Sequence, residues 1–353
     1  MKSSTAKSAP GLLKAFHEPA GLAWHGGALL YALTAYGFGI WGLLQESLWL
    51  NALAVLVWGH GLVIAAYLTH EAAHNTVFRD NARNARLGAF LDWVTGSAYG
   101  TFEDLRYKHF RHHMDNDDSV WFVYEEFFER HPWVVKPIKA LEWAWIPAHE
   151  FLMHGLMMVS AFVIPERRDQ RWRQLGVILV RGGVFFTVLW FWPKVAIGYL
   201  LAYLLMMHIL RFMDAIQHDY GSNPILYTEN APSRFGGRKT EQAHTFSNPI
   251  SFRYDLPNWL VLNFGFHNAH HLRPTVPWYR LPAYYREHVS SDPASVIPFR
   301  QQLKMYARHR VCRVDHRGGP HDAEQDVMLE DYLAAARRGE LYGGNAVSFL
   351  TSF

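Results

Sequence analysis

Apolar residues run without a charged side chain from Gly26 to Leu44, and from Ser47 to Thr69 only Asn51 and His60 interrupt them. Each stretch reaches the roughly 20 residues that a helix needs to cross a bilayer. Only Gln45, Glu46 and Ser47 separate the two, so they read as a hairpin that returns the chain to its starting side. A second hairpin is predicted from Leu175–Trp192 and Val195–Leu210, which are divided by Pro193 and Lys194. Arg181 lies about two turns inside it and must snorkel or face the protein interior. Trp143–Ile164 is also apolar but carries His149, Glu150 and His154, so it reads as an interfacial or partly buried helix; Leu87–Gly100 reads as interfacial too. The pattern predicts an all-α integral membrane fold of about four spans in two hairpins, with interfacial helices and a cytoplasmic helical cap.

The side of the cap follows from the basic residues. Lys2, Lys7, Lys14, Arg79, Arg83, Arg86, Arg171, Arg173 and Arg211 all flank the same ends of the predicted spans, and such an excess marks the cytoplasmic face. In a bacterial cell the location would be the inner membrane. Residues 221–258, rich in Asn, Pro, Gly and Ser, read as loop; the charged stretch from about Pro298 reads as a tail, with a solvated helix at Asp326–Arg338. The expected division is a 1–25 cytoplasmic segment, a 26–297 membrane domain and a 298–353 cytoplasmic tail. The start lacks the compact apolar core of a signal peptide and reads as a mature N-terminus, and the end, AVSFLTSF, matches no lipidation or retention signal.

Composition sharpens this. Half of the 353 residues are hydrophobic and 18% are charged, against about 25% in soluble domains. The mean hydropathy of -0.09 requires a sizeable part in water. A net charge of +3 does not suggest nucleic-acid binding; it suits anionic lipid or an acidic electron carrier. The single Cys312 excludes an internal disulfide and a thiolate cluster, leaving nitrogen and oxygen ligands for any metal.

Such ligands are abundant. HEAAH (70–74), HFRHH (109–113) and HNAHH (267–271) place histidines at i and i+4 or i, i+3 and i+4, on one face of a helix. With 21 histidines in the chain, one HxxxH pair is roughly expected by chance, but HxxHH only about 0.1 times. Eight imidazoles exceed the needs of one ion, so the count implies two, and imidazole with open positions suits iron.

HEAAHNTVF, RYKHFRHHMDNDD and NFGFHNAHHLRPTVPWYRLP resemble, in order, the three histidine boxes of the integral-membrane fatty acid desaturases and their hydroxylase relatives, over roughly residues 25 to 285. The resemblance implies a non-haem di-iron centre held by His70, His74, His109, His112, His113, His267, His270 and His271, using O2 as co-substrate. His218, in DAIQHDYG just beyond the last span, corresponds to a ninth ligand in family members. Asn263 is placed to hold an iron-bound water or to make an ordinary loop hydrogen bond. Imidazole ligands need acceptors for their outer N–H groups. Glu71, Asp104, Asp115 and Asp219 are the candidates nearest the boxes, with Asp117, Asp118 and Asp214 also close in sequence.

The reaction this implies is the introduction of a C=C bond into an acyl chain, whether free, thioesterified or lipid-linked. Hydroxylation, acetylenation and decarboxylation of a free fatty acid to a terminal alkene compete on the same boxes. A histidine-rich transporter would instead carry its histidines inside the spans. Electrons must come from a separate ferredoxin, rubredoxin or cytochrome, for which Arg106, Lys108, Arg111 and Arg273 are candidate guides. PTVPWYRLP (274–282) either closes the mouth of the acyl channel or anchors at the interface. His25, His60, His149, His154, His208 and His244 are expected to serve other roles.

Overall fold

A computed structural model describes residues 14–115, 124–218, 242–289, 295–315, 329–340 and 348–351, with only the backbone at 115, 125 and 329–333. Among these residues the structure is helical, and the only β-type pairings are isolated bridges. Four helices are long and apolar enough to cross a membrane: α1 (Gly21–Leu44), α2 (Leu48–Ala73), α8 (Arg171–Phe191, extended N-terminally by a 3-10 turn) and α9 (Pro193–Asp214). Between them lie α3 (Asn81–Thr95), α4 (Phe102–Asp115), α5 (Tyr124–Arg130), α6 (Pro132–Trp143) and α7 (Ala148–Val163). After α9 come α10 (His267–Leu272), α11 (Leu281–His288), α12 (Phe299–His309) and α13 (Leu329–Arg338).

The first hairpin is tight because its facing residues are small. Gly61 packs so closely on α1 that a Cβ there would lie 2.6 Å from the Ala35 Cβ and 3.2 Å from the Ala32 carbonyl oxygen, and one on Gly42 would lie 2.7 Å from the Ala54 Cβ. Small residues let helices approach in lipid, where dispersion and close packing replace the hydrophobic effect. Gly61→Val is therefore expected to cost about 1–3 kcal/mol by overpacking this seam, read as a lower midpoint of thermal unfolding in detergent. From Gly61 to Ala73 α2 is buried on every side, against α1, α3 and α9. The opposite faces are apolar and open: Leu30, Trp41, Leu53 and Leu56 on the first hairpin, and Leu179, Val184, Phe186 and Leu201 on the second, are exposed as lipid contacts would be. Trp49, Trp190 and Trp192 are exposed near the hairpin tips, where aromatic side chains favour the membrane–water boundary. The tips meet, since Lys194 Nζ donates to the Gln45 carbonyl.

Arg181 resolves toward protein: it donates to the Trp93 carbonyl at 2.8 Å and lies over the Tyr99 ring. The stretch from Trp143 to Ile164 is not one helix, because the chain turns at Trp145 (φ 62°) ahead of Pro147 before α7 begins. Gln174 ties α7 to α8, accepting from Ala161 N (2.9 Å) while donating to Met157 O and Tyr99 O. The segment from 298 is less solvated than its charge suggests. Ala335 and Ala336 of α13 are buried with Met305 and Tyr306 of α12 against Ile216 and Phe246, correcting the reading of 326–338 as a solvated helix. Of the expected 221–258 loop, residues 221–241 lie outside the described residues, and Leu256–Val261 forms a 3-10 helix.

Candidate metal centre

The first histidine box sits where α2 ends. Asn75 adopts a left-handed conformation (φ 57°) that terminates the helix, with Asn75 N bonding to Ala72 O and Thr76 N to Glu71 O. His70 and His74 thus lie in and just after the last turn and face α4, which carries His109, His112 and His113. The third box is set by a left-handed pair, Leu262 (φ 43°) and Asn263 (φ 58°), followed by Gly265. A Cβ on Gly265 would lie 2.7 Å from the Pro249 Cα and 3.0 Å from the Asn248 carbonyl oxygen, backbone atoms that cannot swing aside. Asn248 N also bonds to the Gly265 carbonyl, so glycine here sets the height at which α10 presents its histidines. Gly265→Ala is expected to displace α10 and to lower the metal bound per chain, measurable by elemental analysis of purified protein.

The nine predicted histidines fall into two groups. His70, His74, His109, His113 and His270 form one; His112, His218, His267 and His271 form the other, and within each group the nitrogens lie within 4.8 Å of one another. The second box divides between them, His112 facing the second group while its helical neighbours face the first. In the first group the Nε2 atoms of His74, His109 and His113 form a triangle with edges of 2.7, 3.1 and 3.2 Å, and His270 Nε2 lies 3.1 Å from that of His113. In the second, His218 and His267 approach Nε2 to Nε2 at 2.8 Å, and His271 and His112 at 3.2 Å. Three mutually close nitrogens cannot all be satisfied by one another, because a neutral imidazole offers one N–H and one lone pair. Around a cation with nitrogen bonds of about 2.1 Å, neighbouring ligand atoms are separated by about 3.0 Å in octahedral and about 3.4 Å in tetrahedral geometry, so the donor set fits two bound ions.

Electrostatics agree with ligation. Burial, reinforced by the neighbouring imidazoles, holds His109, His113, His218, His267 and His271 well below the usual histidine range, and His270 falls to about 3. A lowered pKa favours the neutral ring, the form that ligates a metal. Phe264 lies between the groups, its ring 5.2 Å from that of His70 and 5.3 Å from that of His267.

Two of the carboxylates proposed to support the rings, Glu71 and Asp104, are engaged elsewhere. Glu71 Oε2 accepts from the Thr76 hydroxyl (2.6 Å) and the Trp278 amide (3.2 Å), which pins the PTVPWYRLP segment to the end of α2. Asp104 accepts from Thr101 N and Oγ1 and pairs with Arg167. Both anchor backbone and helix ends rather than an imidazole. Asp219, Asp117 and Asp118 lie outside the described residues, as does the Asp115 side chain. Asn263 is fully buried; its Nδ2 donates to the Trp278 carbonyl at 2.9 Å, and its Oδ1 has no hydrogen-bond partner. Among the unassigned histidines, His60 bridges Tyr31 and the Leu260 carbonyl, and His208 reaches the Trp145 carbonyl.

Two features escaped the sequence pattern. Arg211, expected at the cytoplasmic mouth, is buried and flanked by two buried carboxylates, Glu142 at 3.2 Å and Glu150 at 3.9 Å; Glu150 also lies 3.4 Å from His154 Nε2. Burial alone would raise the Glu150 carboxyl, but His154, Arg211 and Ser348 together hold it below the usual glutamate range. The second is the segment Ser348–Thr351, which runs into the core. Lys108, expected to face a redox partner, is buried instead and donates to the Thr351 carbonyl at 2.7 Å.

A family model described as fatty acid desaturase matches residues 47–303, well over half of the chain. The chain belongs to the fatty acid desaturase family. The match spans all three boxes and three of the four apolar helices, α1 lying before its first residue. No curated protein matches the chain. Membership makes this desaturase-family protein a membrane oxidoreductase with a metal-binding site and a fatty acyl substrate.

Proposed function

We propose that this desaturase-family protein is an O2-dependent di-iron enzyme that introduces a C=C bond into a fatty acyl chain. The observation that carries the reading is the division of nine imidazoles, eight of them buried and His113 partly so, into a group of five and a group of four. His70, His74, His109, His113 and His270 would hold one iron; His112, His218, His267 and His271 would hold the other. A donor set of five exceeds the four ligands of a closed structural zinc site, and imidazole nitrogen without thiolate suits iron. Bound iron supplies, with O2 and two electrons, the oxidising strength needed to remove hydrogen from an unactivated methylene.

The chain's own residues do the rest. The apolar ends of α2 and α9 and the rings of Tyr67 and Phe264 keep water from the centre and offer the acyl chain an apolar bed. Neutral imidazoles leave the centre cationic. The boxes lie at helix ends on the side of Arg79, Arg83 and Arg86, and that basic excess supports a reaction on the cytoplasmic face, with both hairpins crossing the bilayer. Electrons come from a separate ferredoxin, rubredoxin or cytochrome. Arg106, which stacks on Phe110, and exposed Arg273 are suited to meet an acidic carrier, and the Phe110 ring lies 5.8 Å from that of His74.

Product analysis tests this reading. Purified protein given saturated fatty acids and their thioesters, O2 and a reducing system is expected to yield an unsaturated product of unchanged length. A terminal alkene one carbon shorter, with release of CO2, would make it a decarboxylase; a hydroxy acid would make it a hydroxylase.

A further inference from the structure

The four residues Ser348–Thr351 are held by buried side chains along their whole length. The Ser348 amide and hydroxyl donate to the two oxygens of Glu150 on α7 at 2.8 and 2.6 Å. The Phe349 amide donates to Asp214 at the end of α9 at 2.9 Å. Lys108 on α4 grips the Thr351 carbonyl. Three helices thus contribute a buried charged side chain each to one short strap, and Ser348, Leu350 and Thr351 are fully buried. Anchoring through desolvated charges is costly unless each is well satisfied, so a strap of this kind is set in one position rather than loosely packed.

What the strap positions is Phe349. Its ring lies 5.6 Å from that of His70, 5.7 Å from that of Tyr67 and 5.8 Å from that of Phe264. Unlike its two neighbours, Phe349 is partly open. A ring packed on three buried rings beside a histidine of the first group, yet still partly open, is suited to wall a substrate that reaches that group. Together with Phe264, which touches both groups, it forms an aromatic wall of fixed position.

We propose that Phe349 is a positioning residue of the reaction: it walls the acyl-chain site beside the first histidine group, and the strap around it sets how far the chain extends past the reacting carbon. The inference rests on the fatty acyl reading above. A rigid aromatic wall discriminates chain length as any apolar pocket does, at about tenfold or more per misfitted methylene.

The full-length protein, photolabelled with a saturated fatty acid carrying a mid-chain diazirine, is expected to carry label on residues 348–351, lost on competition with the unlabelled acid. Phe349→Ala is expected to keep its bound metal, raise KM for the preferred substrate about tenfold and move the chain-length optimum toward longer acids. If Phe349→Ala loses metal, Phe349→Leu decides, since it keeps most of the packing. Support then requires a shifted chain-length profile at normal metal content, and an unchanged profile overturns the proposal. Competed label confined to other segments would overturn the proposal and leave the fatty acyl reading standing. No competed label anywhere in the chain would overturn both.

Discussion

Replacing one histidine in each group is expected to separate the two metal positions. His74→Ala removes a corner of the nitrogen triangle in the first group, and His271→Ala removes a member of the second. Loss of a mere outer partner of a ligand typically costs 10- to 100-fold in metal affinity or activity, so loss of a ligand is expected to cost at least about 100-fold in turnover. Each single variant is expected to purify with about one equivalent of iron less than the parent, and the double variant with close to none. The check is elemental analysis beside O2 consumption on the same preparations. Equal losses at both positions from either single substitution would show that the two groups act as one site.

The second large effect concerns Arg211. Its guanidinium is buried between Glu142 and Glu150, so Arg211→Met leaves two carboxylates in an apolar bundle without their cation. Breaking a buried ion pair by removing one partner costs about 3–5 kcal/mol. In a chain of this size that corresponds to a fall of about 4–7 °C in the unfolding midpoint. Adding Glu142→Leu to Arg211→Met is expected to recover part of the loss, because the stranded charge goes as well. Recovery distinguishes an unpaired charge from simple loss of packing, and the measurement is thermal unfolding of the three proteins in one detergent. An unaltered midpoint for Arg211→Met would contradict the burial of the pair.

Much of this site was written in the histidine spacing. A helix puts i, i+3 and i+4 on one face, so each box was readable as a convergent unit. The division between two groups was not: His112 and His113 on α4, and likewise His270 and His271 on α10, lie about 100° apart around their helix and turn to different groups. The spans were readable because lipid demands length and apolarity together.

The supporting carboxylates were chosen by nearness in sequence, which does not establish nearness in space: Glu71 turned to Trp278, two hundred residues on, and Asp104 to Arg167. Lys108 follows the helical period of a surface cation, and its bond to the Thr351 carbonyl goes with its burial. The strap itself carries no signal, since four residues of mixed polarity have no periodicity and their partners lie on three distant helices. Glycine at 265 is likewise silent in sequence, because its reason is the backbone of Pro249.

The central claim is that nine imidazoles in two groups hold two irons. The most direct test is the metal content of the detergent-purified protein, together with Mössbauer spectroscopy after growth on enriched iron. The account predicts two irons per chain, in two distinguishable nitrogen-rich environments that both change when O2 and reductant are supplied. Zinc in place of iron, with no consumption of O2, would contradict it.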